Sequence, residues 1–418
     1  MKTANVPGAR IKTFLRRFGP GLITGASDDD PSGIATYSQA GARFGYSTLW
    51  TAILTFPLMA AIQGMCGRIG LVTNHGLAGT LKRYYPKGFL YLMLLFSLPA
   101  VTFNIGADIQ GMGAVSNMLF PSIPVWIFCI FFTVLLLFTM IKYSFERISL
   151  ILKWLCLSLL LYIIIPFLVS TDIIPILKAT FVPTIHFDRN FFAILVAILG
   201  TTISPYLFFW QATMEVEANS RQTDKNISMQ RQLKDMRLDV NVGMLFSNVV
   251  MFFIILTSGE VLYKSGITQI DTVDQAARAL EPLTGELSYH FFAIGVIGTG
   301  LLAIPVFASS MAYILAEAFN WQLGLDKKFG EARGFYVTLS ASLLIGLGLD
   351  FIGLSPIKAL LYTAILYGVT APVLIAVILH ISNNTKIMGN YTNSVLSNVL
   401  GVLTLVIMTL AAIGLFFL

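Results

Sequence analysis

Asp28, Asp29 and Asp30 stand in a row, followed by Pro31, Ser32 and Gly33. Far along the chain, Gly200-Thr201-Thr202-Ile203-Ser204-Pro205-Tyr206 sets hydroxyl side chains against a second proline. Carboxylate, hydroxyl and carbonyl oxygens in such runs suit a hard divalent cation. Proline has no N–H and disfavours helix at the residue before it, so each run should interrupt a helix. Pro205 is expected to free carbonyls one turn earlier, near Thr201. Each half-helix that ends at an interruption presents the negative end of its dipole there. With Asp30 adding charge and no Lys or Arg in either run, the place should attract a cation and repel a carboxylate.

These runs lie in a chain of unusual composition. Of its 418 residues, 56% are hydrophobic and 11% charged, against about 25% charged in a soluble domain. Stretches without Asp, Glu, Lys or Arg include 44–67, 109–141, 190–214 and 359–385. Each is long enough for a membrane helix of roughly 20 residues, and none shows the alternation of a membrane β-strand. The chain therefore reads as a polytopic α-helical membrane protein. Cys66, Cys129 and Cys156 lie far apart in apolar runs and form neither a metal motif nor a disulfide framework. His75, His186, His290 and His380 fall at or beyond the ends of the runs, which argues against an imidazole metal site within the membrane. The basic start leads into the acidic cluster without a small-residue cleavage site, so no signal peptide is expected.

Eleven spans are predicted, at 18–41, 46–70, 88–116, 122–141, 148–170, 190–216, 239–259, 289–317, 334–350, 355–381 and 394–417. An internal N-terminus places 21 of the 27 Lys and Arg residues on the cytoplasmic side. This asymmetry is the positive-inside signature, so the net charge of +6 is a topology signal rather than a nucleic-acid footprint. The C-terminus would lie outside the cell membrane. The 217–238 segment reads as a solvated cytoplasmic connector. Thr272 and Gln275 form a capping box that opens a short external helix over 272–281.

Three adjacent carboxylates in the first span would not survive facing lipid. An extracellular loop is the competing reading of 28–30, but Arg43 and Gly45-Tyr46 mark a better loop about a dozen residues later. Unwound backbone at membrane depth persists where it lines a cavity. Interruptions at matching places in two halves point to a transporter binding site. The expected organisation is a basic segment 1–17, one five-helix repeat over 18–170, a second over 190–381, and an extra helix at 394–417. Five helices per repeat would invert the second relative to the first.

Several segments are recognisable. Gly19-Pro20-Gly21, Asp30-Pro31-Ser32-Gly33, Ala40-Gly41-Ala42-Arg43-Phe44-Gly45-Tyr46 and Arg68-Ile69-Gly70-Leu71-Val72-Thr73 resemble the NRAMP family of divalent-metal transporters. So does Leu301–Val306, with Tyr313 and Ala316-Glu317-Ala318-Phe319. The resemblance implies an all-α, LeuT-type 5+5 inverted repeat with discontinuous helices 1 and 6 and the metal held between them. The metal residues it points to, together with the acidic run, are Asp30, Gly33, Thr201, Ser204 and Asp29. Asp108 and Tyr206 take the positions of a proton or gating role. The transported ion is the substrate, and no resident cofactor is implied.

The departures from the family pattern bear on selectivity. Gly33 stands where the family has asparagine, Ser204 where it has methionine, Tyr206 where it has histidine, and Gly111 where a glutamate follows Asp108 by three residues. Loss of the thioether removes a preference for softer metals, and loss of both side chains widens the site. A wider, oxygen-lined pocket suits Mg²⁺ retaining some of its water, as in the magnesium-transporting relatives of the family, with Mn²⁺ also accepted. Without the family's His and Glu, proton coupling should be weak or absent. The alternatives are a proton-coupled Mn²⁺/Fe²⁺ transporter of the ordinary type and an organic-solute carrier on the same fold. An intramembrane aspartyl protease pairing Asp30 with Asp108 lacks the motif spacing at Gly346–Asp350, and no nucleotide-binding motif exists for an ATP-driven pump. Nothing in the sequence specifies an oligomeric state.

Overall fold

A computed structural model describes residues 19–143, 161–168, 172–221, 227–349 and 353–417. The first predicted span is two helices, α1 (Pro20–Asp28) and α2 (Pro31–Phe44). Then follow α3 (Trp50–Thr73), α4 (Leu77–Tyr84), α5 (Lys87–Leu119) and α6 (Val125–Lys142). Shorter α7 (Leu161–Leu168) and α8 (Ile173–Phe181) come next. The sixth span is again two helices, α9 (Arg189–Thr202) and α10 (Pro205–Ser220). The remainder comprises α11 (Met229–Ser258), α12 (Val273–Ala277), α13 (Ser288–Phe319), α14 (Arg333–Leu349), α15 (Pro356–Asn383) and α16 (Val395–Phe417).

Both interruptions follow from a proline at the first position of a helix, where its missing N–H costs nothing. Asp30 and Ser204 are the extended residues immediately before Pro31 and Pro205. The prolines thus begin new helices rather than kinking old ones. Elsewhere the chain tolerates proline inside a helix, at Pro57, Pro99, Pro305 and Pro372. What distinguishes the two broken spans is a polar N-cap directly before the proline.

Among the described residues, eight elements are long and apolar enough to cross a membrane, the pair α9–α10 being one of them, and α14 is a shorter apolar helix. Most of the predicted fifth span lies outside the described residues. The 217–238 segment differs from expectation. Helix α10 runs on to Ser220 and α11 begins at Met229, so helix occupies most of the supposed connector. Glu215 and Asp239, at its edges, are buried. Charged turns extend these helices past the apolar window, and buried polar partners hold the two acids. The capping box forms as expected, with Thr272 accepting from the Gln275 amide and Gln275 closing back. The helical run it opens is α over Val273–Ala277, 3-10 over Arg278–Leu280 and α again over Glu281–Thr284.

The halves exchange partners. Helix α2 packs on α11, while α10 packs on α3, so the second half of each broken span lies on the second helix of the opposite half. Helix α1 also lies against α11. A Cβ added to Gly25 would come within 2.1 Å of the Gly243 carbonyl oxygen, so the two backbones touch. One turn away in either direction, Asp239 accepts from the Gly21 and Leu22 amides and Ser247 donates to Asp28. Helix α1 is therefore fastened to α11 along its whole length. On the outside, α6 and α16 expose Phe131, Val134, Phe138, Leu396 and Phe416. Such apolar surface is what a lipid-facing helix presents.

Candidate metal centre

The two interruptions meet inside the bundle. A Cβ on Gly33 would lie 3.3 Å from Thr201 Oγ1, from Asp30 Oδ1 and from the Asp28 carbonyl oxygen. Tyr37 Oη lies 3.3 Å from Thr202 Oγ1, and Tyr206 Oη donates to the Ser27 carbonyl at 3.3 Å. Each bond ties one broken span to the other.

Asp30 is the N-cap of α2 and is 2% exposed. Its Oδ1 accepts from the Gly33 amide at 2.6 Å and from Ser32 Oγ at 2.9 Å. Its Oδ2 accepts from Asn104 Nδ2 on α5 at 3.1 Å. These donors fix the carboxylate plane and leave its remaining lone pairs for a ligand. No ion pair among the described residues involves Asp28, Asp29, Asp30 or Asp108.

Asp29 is held together with Asp28 on the α11 side. Ser247 Oγ on α11 lies 2.7 Å from Asp28 Oδ2 and 3.2 Å from Asp29 Oδ1, bridging the two acids. Asp28 Oδ1 and Asp29 Oδ2 have no hydrogen-bond partner among the described residues, although both are fully buried. The three carboxylates thus divide between α5 and α11. Among the described residues, no group of three or more His, Cys, Asp or Glu side chains converges, so a metal here would depend on hydroxyl, carbonyl and water oxygens as well.

Ser204 is turned back on α9, donating to the Thr201 carbonyl at 2.5 Å and to the Gly200 carbonyl at 3.0 Å. The carbonyls that the proline was expected to free are therefore capped, because the N-cap hydroxyl supplies the missing donor; the Ser204 lone pairs remain. A thioether does stand near this break, with Met251 Sδ 3.8 Å from the Thr202 hydroxyl. Asp108 is fully buried on α5, one turn beyond Asn104. At Gly111, an added Cβ would meet Leu360 at 3.2 Å and Pro31 at 3.7 Å. The place of the family's glutamate is thus closed by hydrocarbon.

Asn104, Ser247, Gln211 and Asp239 were not singled out in the sequence. Asn104 carried a usable signal, since it precedes Asp108 by four residues on one helix face. Thr24 Oγ1 donates to Gln211 Oε1 at 2.7 Å, and Gln211 Nε2 donates to Glu215 Oε1 at 2.8 Å. Glu215 and Asp239 line a cavity of about 310 Å³ that reaches Gly19 and Pro20. A polar path therefore runs along α1 from that cavity towards the breaks.

Two interrupted helices on exchanged partners define the LeuT-type transporter fold. The chain covers 94% of its own length on the structure of MhsT in complex with L-phenylalanine, with 98% of that chain, a TM-score of 0.62 and 14% identity. It covers 99% of its length on the crystal structure of the Eremococcus coleocola manganese transporter in complex with an aromatic bis-isothiourea substituted compound, with 88% of that chain, a TM-score of 0.78 and 18% identity. Residues 21–418 match the family described as Nramp, natural resistance-associated macrophage protein-like. The chain belongs to the Nramp family. Among curated relatives it is 24% identical to the divalent metal cation transporter MntH of Caldanaerobacter subterraneus subsp. tengcongensis, over 95% of this chain and 91% of that one. It is 23% identical to MntH of Chromohalobacter salexigens, over 96% and 90%.

Proposed function

We propose that the chain carries divalent cations across the membrane by alternating access, taking Mg²⁺ and also Mn²⁺, with weak or no proton coupling. Membership of the Nramp family and the names of the MntH relatives support divalent-metal transport. One observation carries the finer reading. Asp30 is oriented by three donors at the meeting of two broken helices, and its neighbour Gly33 faces Thr201 without a side chain. The ion would bind Asp30, with Thr201, Ser204, Asp29 and the backbone at Gly33 supplying further oxygens or holding its water. A hard ion that gives up water reluctantly fits such a place.

Weak coupling is supported by Tyr206, which is engaged with Ser27, and by the hydrocarbon around Gly111. The proposed repeats are 18–170 and 190–381, with 394–417 added. The charge asymmetry supports an internal N-terminus and an external C-terminus. The acidic cavity at Glu215 and Asp239 would then be the cytoplasmic vestibule. Proton-coupled Mn²⁺ transport is the second reading, favoured by the buried Asp108 on the helix that also holds Asn104 against Asp30.

Proteoliposome uptake of Mg²⁺, Mn²⁺, Ca²⁺ and Fe²⁺, with a pH dye in the lumen, tests both. Mg²⁺ uptake without lumenal acidification, abolished by Asp30→Ala, is the expected result. Mn²⁺ or Fe²⁺ uptake with acidification, while Mg²⁺ neither moves nor competes, would establish the second reading instead.

A further inference from the structure

A groove of about 290 Å³ lies between α3, α11 and α16, apart from the transport site. Arg68 and Arg237 both line it, and among the described residues no Asp or Glu does. Neither arginine forms an ion pair among the described residues. Arg68 is 7% exposed. One of its terminal nitrogens donates to Asn393 Oδ1, whereas its buried Nε has no hydrogen-bond partner. A guanidinium withdrawn from water beside another cation is costly without a counter-charge. Among the described residues, the groove lacks an anion.

Apart from Asn241, Ser394 and Ser397, the rest of the groove is apolar. On α3, Pro57, Ala61, Gly64 and Arg68 follow one another at intervals of three or four residues, which places them along one helix face. Hydrocarbon thus leads down to the guanidinium, and Leu400 of α16 also lines the groove. A Cβ on Gly64 would meet nothing within 4 Å, so the groove is open there. Such a surface takes an anionic head and an apolar tail together.

We propose that this groove binds an anionic phospholipid, its phosphate between Arg68 and Arg237 and an acyl chain lying over Gly64. Basic pockets between membrane helices recognise acidic lipid heads in this way. Free phosphate would satisfy the arginines but leave the apolar wall in water.

The test uses the full chain in detergent, with phosphatidylglycerol, phosphatidylcholine or inorganic phosphate added, and reads thermal unfolding and lipid adducts by native mass spectrometry. Phosphatidylglycerol should raise the melting temperature by roughly 3–5 °C more than phosphatidylcholine and give a retained adduct, with inorganic phosphate inactive. Arg237→Gln removes an exposed charge, and Gly64→Leu fills open space, so both variants should fold, and both should lose the selective shift. Arg68 is left intact because of its bond to Asn393. Equal shifts from the two lipids, the same shift from inorganic phosphate, or a full selective shift surviving in either variant would overturn the proposal.

Discussion

Replacing Gly33 with alanine places one methyl group at the centre of the proposed ion site. Its carbon would sit 3.3 Å from Asp28 O, Asp30 Oδ1 and Thr201 Oγ1. That is close for a carbon–oxygen contact, so the neighbours must yield by a few tenths of an ångström. The methyl then takes space between three oxygens that a hydrated ion would use, about the share of one water molecule, ~30 Å³. Loss of one water-mediated bond costs about 1–1.5 kcal/mol, which is roughly tenfold in apparent affinity. The fold should hold, because Gly33 is at the third position of α2 with ordinary helical geometry, where alanine is favoured by up to about 1 kcal/mol. The assay is the KM for Mg²⁺ and Mn²⁺ uptake into proteoliposomes, alongside the melting temperature. The KM for Mg²⁺ should rise about tenfold, and an ion that sheds water more readily should suffer less. A folded variant whose KM for Mg²⁺ stays within about twofold of the parent would refute the reasoning, since 1 kcal/mol already exceeds a fivefold change.

Asp30→Ala should reduce uptake of every divalent ion to the level of empty vesicles while the protein still melts cooperatively; uptake above that level places the ion elsewhere. Asp108→Asn should leave Mg²⁺ uptake within about threefold, because half a kcal/mol or so is all that an uncoupled neighbour need contribute. Collapse of both uptake and lumenal acidification in that variant would instead make Asp108 a proton carrier. Gly25→Ala drives a carbon to 2.1 Å from the Gly243 oxygen and must part α1 from α11, at a cost of about 1–3 kcal/mol. Lower thermal stability together with lost uptake is expected, and an unchanged melting curve would show that the seam is looser than drawn. Ser247→Ala removes a hydroxyl that bridges Asp28 and Asp29, a loss of about 0.5–1.5 kcal/mol. Its effect should appear first as weaker Mg²⁺ binding in equilibrium titration, and identical titration curves would remove these acids from the binding reaction.

Local chemistry made much of the protein legible in its sequence. The long uncharged runs announce membrane helices because lipid leaves no other way to satisfy the backbone. Asp30-Pro31 and Ser204-Pro205 announce the breaks because proline cannot donate and an oxygen-bearing residue before it can cap. What those acids and hydroxyls face was not written locally. Asn104 reaches Asp30 across 74 positions, and Ser247 reaches Asp28 across 219; no spacing rule connects such distant residues. Ser204 differs, since its hydroxyl seals carbonyls only three and four residues earlier, a local bond that attention to the proline alone left out. Glu215 and Asp239 look like loop charges in one dimension, yet both are buried, Asp239 where α1 packs against α11 and Glu215 beside Gln211 on α10. Sequence therefore determined where the backbone must break and which oxygens stand nearby, since both depend on bonds within a turn or two. Tertiary packing alone decided which oxygens share a site, because that depends on which helices touch.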